Sequence, residues 1–201
     1  MVNDPDEENF LDHDEVEAVS SNLYDWTFDQ VIVMGLPAIP DEERKPINWN
    51  CPDPLYTTKA IRYIAKEYEI SFSITTQNAA RHGFPIFQHR FNDIITMISH
   101  LDDAAITSNV DAYIDHLVYK PVIGKDIRRL TTVIDSPSAE SMGNTASILG
   151  TSRSHLAGMC ILLSLSTGDL LPEMIKDKFQ KHISAFETGM KMYEIMATNL
   201  I

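Results

Sequence analysis

Apolar residues recur along most of this 201-residue chain at the spacing of amphipathic helices. From Thr57 onwards they return every three to four residues, which places them on one helix face. The segments with this pattern are 57–70, 85–101, 109–119, 125–134, 136–149, 152–166 and 172–199. A break at Gly189 would divide the last segment in two. The pattern therefore predicts seven or eight helices.

Punctuation residues support several of these boundaries. Pro85 suits a first helical turn, and Gly150 suits the position just after a helix end. Residues 152–166 are apolar on nearly all sides, which is typical of a central buried helix. Thr167-Gly168-Asp169 then predicts a turn. Outside the N-terminal region, only residues 71–74 (SFSI) have strand character, so we expect an all-α globular bundle.

The first 56 residues follow a different pattern. Residues 1–22 are mostly acidic and polar, and residues 23–54 are apolar but contain five prolines between positions 37 and 54. Each proline removes a backbone donor and biases the preceding residue toward extended conformations, which excludes a long helix there. Tyr24, Trp26 and Phe28 alternate with polar residues. We therefore predict an extended, acidic N-terminal arm (residues 1–56) ahead of a helical body (residues 57–201).

Charge divides along the same boundary. The formal net charge of the whole chain is −13. Residues 1–50 contain thirteen acidic and two basic residues, which gives −11, whereas residues 51–201 contain sixteen acidic and fourteen basic residues, which gives −2. The acidity therefore belongs to the arm, and a local basic surface on the body is compatible with the negative total.

The two cysteines and the hydropathy of the chain indicate where in the cell the protein is located. Cys51 and Cys160 show no spacing of a disulfide framework, which favours a reduced, cytoplasmic setting. Residues 1–20 are acidic where a signal peptide requires a basic and then an apolar segment. The longest apolar stretch, residues 156–165, covers about half of the ~20 residues that a membrane helix needs. We expect an intracellular protein without a membrane span.

Motifs for catalysis or metal binding are sparse. The sequence has no Gly-rich phosphate loop, H-E-x-x-H or G-x-S-x-G motif. Residues 150–155 (GTSRSH) come nearest to a nucleophile motif, but Ser152 better fits a helix N-cap. Asp111, Asp115 and His116 share a predicted helix and have ligand types that bind Mg²⁺ or Mn²⁺, although a solvated helix face explains them as well. We expect a non-enzymatic protein without cofactor or metal.

Basic residues give the most informative signal in the body. A fold that brought three basic segments to one side would line a groove for RNA or another polyanion with Arg81, Arg90, Lys120, Lys125, Arg128, Arg129 and Arg153. Guanidinium groups suit phosphate because they donate two parallel hydrogen bonds and keep their charge. Phe84 or Phe87 would stack on an unpaired base. Ion pairs on the surface of a helical bundle explain the same arginines without a ligand.

The apolar part of the arm has two interpretations. It packs onto its own body as a strap, or it docks on a neighbouring subunit, since extended segments bind through the main chain and alternate side chains. The candidate self-association residues are Tyr24, Trp26, Phe28, Val31, Ile32 and Val33. The acidic tail ahead of them would engage a basic protein partner or cover the basic groove.

Together these features predict a non-enzymatic, self-associating structural protein. The most specific version is a virus-like nucleocapsid or coat subunit that binds single-stranded RNA through the basic groove and its neighbours through the arm. Such a homo-oligomer would reside in the cytoplasm, in a virion or in a ribonucleoprotein particle. One alternative is a monomeric helical adaptor or regulatory domain for a basic protein partner. The other is a small helical enzyme with a site assembled from dispersed Asp, His and Arg residues.

Overall fold

The computed structural model describes residues 23–51, 54–100 and 128–198, without the side chains of Pro54 and of residues 192–198. The elements in these ranges are α1 (Phe28–Met34), β1 (Arg44–Cys51), α2 (Pro54–Glu67), α3 (Phe72–Ser99), β2 (Arg128–Asp135), α4 (Ser136–Ile148), α5 (Arg153–Ser166) and α6 (Glu173–Thr198). Short 3-10 turns precede α1 and β1. The mainly helical fold is as predicted, but the described residues contain six helices rather than seven or eight, together with a two-stranded sheet. The predicted helix at 109–119 lies outside the described residues.

Helix α5 forms the centre of the core. Every residue from His155 to Leu165 is buried, as the apolar pattern predicted. Ser152 starts the helix because its hydroxyl accepts a hydrogen bond from the His155 backbone N–H at 3.2 Å. A Cβ atom on Gly158 would lie 2.1 Å from the carbonyl oxygen of Asn50, so glycine lets α5 pack directly against the backbone of β1.

The two strands pair antiparallel, from Arg44 opposite Asp135 to Cys51 opposite Arg128. Ile47 and Trp49 of β1 point into the core, and the intervening Asn48 is exposed. The helix predicted over 125–134 is wrong for residues 128–134, which belong to strand β2, and residues 125–127 lie outside the described ranges. Residues 131–134 of β2 (TTVI) are β-branched, and such residues suit a pleated surface better than a helix.

Helix α3 also differs from the prediction. It begins at Phe72 and runs without interruption through Gly83 and Pro85 to Ser99, so residues 71–74 are not a strand and Pro85 does not start a helix. Ser71 caps the helix, since its hydroxyl accepts from the Ile74 backbone N–H at 3.1 Å. Packing against α5 holds the helix together across the proline, which by itself would disfavour the helix interior.

The C-terminal third follows the sequence pattern closely. Asp135 caps α4 by accepting a hydrogen bond from the Ser138 backbone N–H at 2.8 Å. Gly150 follows this helix with a positive φ of 59°, and Gly168 supplies the predicted turn with a φ of 70°. Helix α6 continues through Gly189 without the break that would have given an eighth helix.

Part of the predicted arm is helical and belongs to the core. Residues 28–34 form α1, which begins at Thr27, whose backbone N–H donates to the Gln30 side chain at 2.8 Å. This contact is half of a capping box, a helix-start signal that outweighs the alternation of aromatic and polar residues. Strand β1 also lies within the predicted arm and pairs with β2 of the body. The prediction of a uniformly extended arm is therefore wrong for residues 28–34.

Candidate functional site

Two of the predicted groove residues form ion pairs within the fold. The Arg81 Nε lies 3.7 Å from the Asp135 carboxylate, and its Nη1 donates to the Pro37 carbonyl oxygen at 2.7 Å. Burial lowers the pKa of Arg81 below its ordinary value, and the charge of Asp135 opposes that effect. Arg90 pairs with Glu187 and so joins α3 to α6. Both arginines have structural partners.

The aromatic residues proposed for base stacking are inside the protein. Phe87 is fully buried and Phe84 nearly so. Phe87 lies in an aromatic cluster with Phe91 and Phe186, whose ring centroids are 4.7 and 5.7 Å away. The expectation that Phe84 or Phe87 stacks on a base is therefore wrong, because neither ring reaches the surface.

The other described arginines of the predicted groove are exposed near one end of the sheet. Arg129 lies opposite Asn50, on the face of the sheet turned away from the core. Arg153 precedes Gly158 by about 7.5 Å along the helix axis, and Gly158 touches the Asn50 backbone. These contacts place the Cα atoms of Arg153 and Arg129 within about 20 Å of each other.

We call this end of the sheet the basic sheet end. Arg129 shares the outer face of the strand pair with Asn48, Asn50 and Thr131, whereas Arg128 lies opposite Cys51 on the other face and Arg153 lies at the start of α5. The Thr131 hydroxyl donates to the Asn48 side-chain oxygen at 3.0 Å. Within the ranges that the structure covers, none of the three arginines forms an ion pair. Lys120 and Lys125 lie outside the described residues.

The predicted self-association residues lie in what we call the docking segment, residues 23–34. Phe28 and Val31 are both 0% exposed and contribute to the core. Trp26 and Ile32 are half-buried, whereas Val33 is 72% exposed. In this single chain the segment packs onto its own body, and its role in self-association stays a prediction.

The receiving surface, which we call the docking site, is formed by His82, His89, Ser164, Thr167 and Gly168. The Phe28 backbone N–H donates to the Thr167 hydroxyl at 2.8 Å. The rings of Tyr24 and His89 stack with centroids 4.3 Å apart. A Cβ atom on Gly168 would lie 1.7 Å from an Asp29 carboxylate oxygen and 3.1 Å from the Cβ of Thr27, so the segment packs closely over this glycine.

His82 connects the docking segment to α5. Its Nε2 is 2.9 Å from the Trp26 carbonyl oxygen and its Nδ1 is 2.9 Å from the Ser164 hydroxyl. Because a carbonyl only accepts, Nε2 carries the proton and Nδ1 accepts from Ser164. Burial lowers the pKa of His82 to about 4, so the ring is neutral at physiological pH. The serine and histidine are fully buried, which leaves this pair no access to a substrate.

Sequence reasoning missed the docking site. In the sequence His82 has no feature that marks it as a binding residue, and Thr167-Gly168 predicts only a turn. The sequence does contain a signal for such a site. Thr167 offers a hydroxyl that can accept a hydrogen bond, and Gly168 has no side chain to keep another segment away from its backbone. Which segment would approach that backbone depends on contacts between residues 139 positions apart, as for Phe28 and Thr167.

No group of three or more His, Cys, Asp or Glu side chains in the described ranges is arranged to hold a metal ion. The metal candidates Asp111, Asp115 and His116 lie outside those ranges. Among the described helices, none alone has the length and hydropathy to cross a membrane. Helices α4 and α5 reach the threshold only together, with a bend of 109° between them.

Comparison of the chain with protein-family models, with curated proteins and with solved structures found no match.

Proposed function

We propose that this chain is a non-enzymatic structural subunit that binds single-stranded RNA and associates with copies of itself, in the manner of a nucleocapsid or coat protein. The observation that carries the proposal is the exposure of Arg128, Arg129 and Arg153 at the basic sheet end, without ion-pair partners in the described ranges. Arg81 and Arg90 each form an ion pair within the fold, so the RNA-binding surface that we propose consists of the other three described arginines of the predicted groove.

The chemistry of the basic sheet end suits a nucleic-acid backbone. Guanidinium groups bind phosphate oxygens with paired hydrogen bonds, and asparagine and threonine side chains bind phosphate or sugar. Asn48 and Asn50 lie on the same strand as each other and beside Thr131 and Arg129 across the sheet. With the phenylalanines of α3 buried, recognition rests on the backbone of the RNA and has little sequence preference.

The test is the salt dependence of binding to a fluorescent single-stranded oligonucleotide. Three phosphate contacts predict a log–log slope of about −2 for the unaltered protein. The double substitution Arg128→Ala/Arg129→Ala removes two contacts, so we expect weaker binding to all sequences and a slope less steep by about 1.4.

The matched control is Arg62→Ala/Lys66→Ala, which removes the same charge from exposed positions on α2. Under the proposal this control keeps the slope of the unaltered protein. Equal losses in the two double variants would show that only net charge matters, and an unchanged slope in both would exclude the basic sheet end as the RNA site.

A further inference from the structure

We infer that the docking site accepts the docking segment of a second copy of this chain in exchange for the chain's own segment. The inference rests on the self-association in the proposed function and names the surfaces that perform it. Exchange of one identical element between subunits reproduces in the pair the contacts already present in the single chain.

The contacts of the segment specify one register and are independent of which chain supplies it. Two of them use backbone atoms, the Trp26 carbonyl on His82 and the Phe28 N–H on Thr167. Phe28 and Val31 add two side chains that are completely removed from solvent. Burial of two such side chains is the main apolar contribution of the segment to its docking. A segment from another copy would make the same contacts.

The connection behind the segment is suited to act as a hinge. Gly35 ends α1 with φ 77° and ψ 158°, a backbone conformation that other residues rarely adopt, and a Cβ atom there would meet nothing within 4 Å. Glycine is therefore needed at position 35 for its backbone conformation, since there is space there for a side chain. Residues 35–40 form no helix or strand. Rotation at Gly35 would move the segment while Arg81 keeps its hydrogen bond to Pro37.

Exposed apolar side chains lie beside this hinge. Val33 is 72% exposed and Met34 is 67% exposed, although both belong to a helix whose other face is in the core. In an exchanged pair the two hinges pass each other and form the one contact that the single chain lacks. Val33 and Met34 would be buried in that contact. The partner that covers this exposed face of α1 is therefore a second copy of the chain.

A mixing experiment with two full-length variants tests the exchange. Gly168→Ala weakens the docking site, because the added Cβ displaces the Asp29 side chain, lies 3.1 Å from the Cβ of Thr27 and imposes a φ of 70° that disfavours alanine, but it leaves the sequence of the segment intact. Phe28→Ser damages the segment and leaves the site intact. Each variant alone weakens the docking contact in the closed chain and in the exchanged pair alike, so its own association is expected to change little. An equimolar mixture is expected to form more heterodimer than random pairing gives, because only the heterodimer contains a docking contact in which segment and site are both unaltered. Native mass spectrometry measures the proportion of heterodimer.

Circular dichroism first establishes that both variants are folded. If either is not, Thr167→Val and Val31→Ser replace them, since they weaken the same site and segment with smaller changes. A mixture with no more heterodimer than random pairing gives would overturn the exchange and leave self-association through another surface. A folded pair that never forms the heterodimer, while the unaltered protein associates, would also overturn it. An unaltered protein that is monomeric at all concentrations would refute self-association itself.

Discussion

Gly83 of α3 lies against the backbone of Cys160 of α5. A Cβ atom on Gly83 would be 1.8 Å from the Cys160 carbonyl oxygen and 2.4 Å from its carbonyl carbon. Real Cβ atoms do not approach backbone atoms this closely, so the two central helices are in contact through their main chains. This crossing sets the separation of α3 and α5 for the whole core.

Gly83→Ala is therefore expected to destabilise the protein by roughly 3 kcal/mol or more, because the clash is with backbone and no flexible side chain can yield. Urea denaturation followed by circular dichroism measures the effect. The same substitution at Gly143 on α4 serves as control, since a Cβ atom there meets nothing within 4 Å. It should stabilise the protein by about 0.5–1 kcal/mol through helix propensity. Similar effects at the two glycines would contradict the close crossing.

Acid is expected to destabilise the protein between about pH 6.5 and pH 4. Burial lowers the pKa of both His82 and His155 to about 4, so over this range the unfolded chain binds protons that the folded chain does not. The stabilising contribution of the neutral rings is complete above the unfolded pKa and is lost as the pH falls. Each histidine accounts for at most about 3 kcal/mol.

Urea denaturation at several pH values between 4 and 7.5 measures this dependence. His82→Gln removes one of the two titrating groups and should make the free energy of unfolding vary less with pH. The exposed His100 provides the matched control, and His100→Gln should leave the dependence unchanged. Equal pH dependence in all three proteins would mean that the buried ring of His82 does not control acid stability.

Asp135 is expected to contribute to stability in two separable ways. Its carboxylate pairs with Arg81 and also accepts the Ser138 backbone N–H at the start of α4. Asp135→Asn keeps the cap but loses the charge opposite a largely buried guanidinium, and Asp135→Ala loses both. The alanine variant should be less stable than the asparagine variant by about 1 kcal/mol, and both less stable than the unaltered protein.

Thermal and urea denaturation of the two variants gives the comparison. The control is Asp169→Asn, which also weakens an ion pair, but one formed by a fully exposed carboxylate with Lys176. Its effect should be much smaller than that of either Asp135 variant, because a solvent-exposed ion pair contributes little to stability. If the Asp135→Ala and Asp135→Asn proteins were equally stable, the hydrogen bond that Asp135 accepts at the start of α4 would make no contribution to stability.

Much of the helical architecture was predictable because it depends on local order in the sequence. Helices α2, α4, α5 and α6 follow a 3.6-residue apolar period, and the period alone located them to within a few residues. The sequence predicts a helix over most of residues 128–135 because a short, partly buried strand does not show a clear two-residue alternation of apolar and polar side chains. These residues form a strand because they pair with β1, which is distant in the sequence: Cys51 and Arg128 lie opposite each other although they are 77 positions apart.

The candidate sites were less predictable because they depend on which distant residues meet. The basic character of Arg81 and Arg129 is equally evident in the sequence, yet one is paired with Asp135 and the other is exposed. His82 directly follows Arg81 in the sequence, but burial between α5 and the docking segment makes its ring neutral. The ion pairing of Arg81 and the burial of His82 arise only when the core is assembled, so the residues next to them in the sequence do not predict either one.

The burial of both cysteines gives this protein an internal chemical reporter. Cys51 and Cys160 are completely inaccessible, and burial raises the pKa of the Cys160 thiol far above its ordinary value. A thiol reagent in solution therefore reacts only with molecules that have opened, at a rate set by how often the core opens. A thiol-reactive fluorophore or spin label would react in the native state with a cysteine introduced at exposed Met174 on α6 and leave the original thiols unmodified, so that they record unfolding in the same sample.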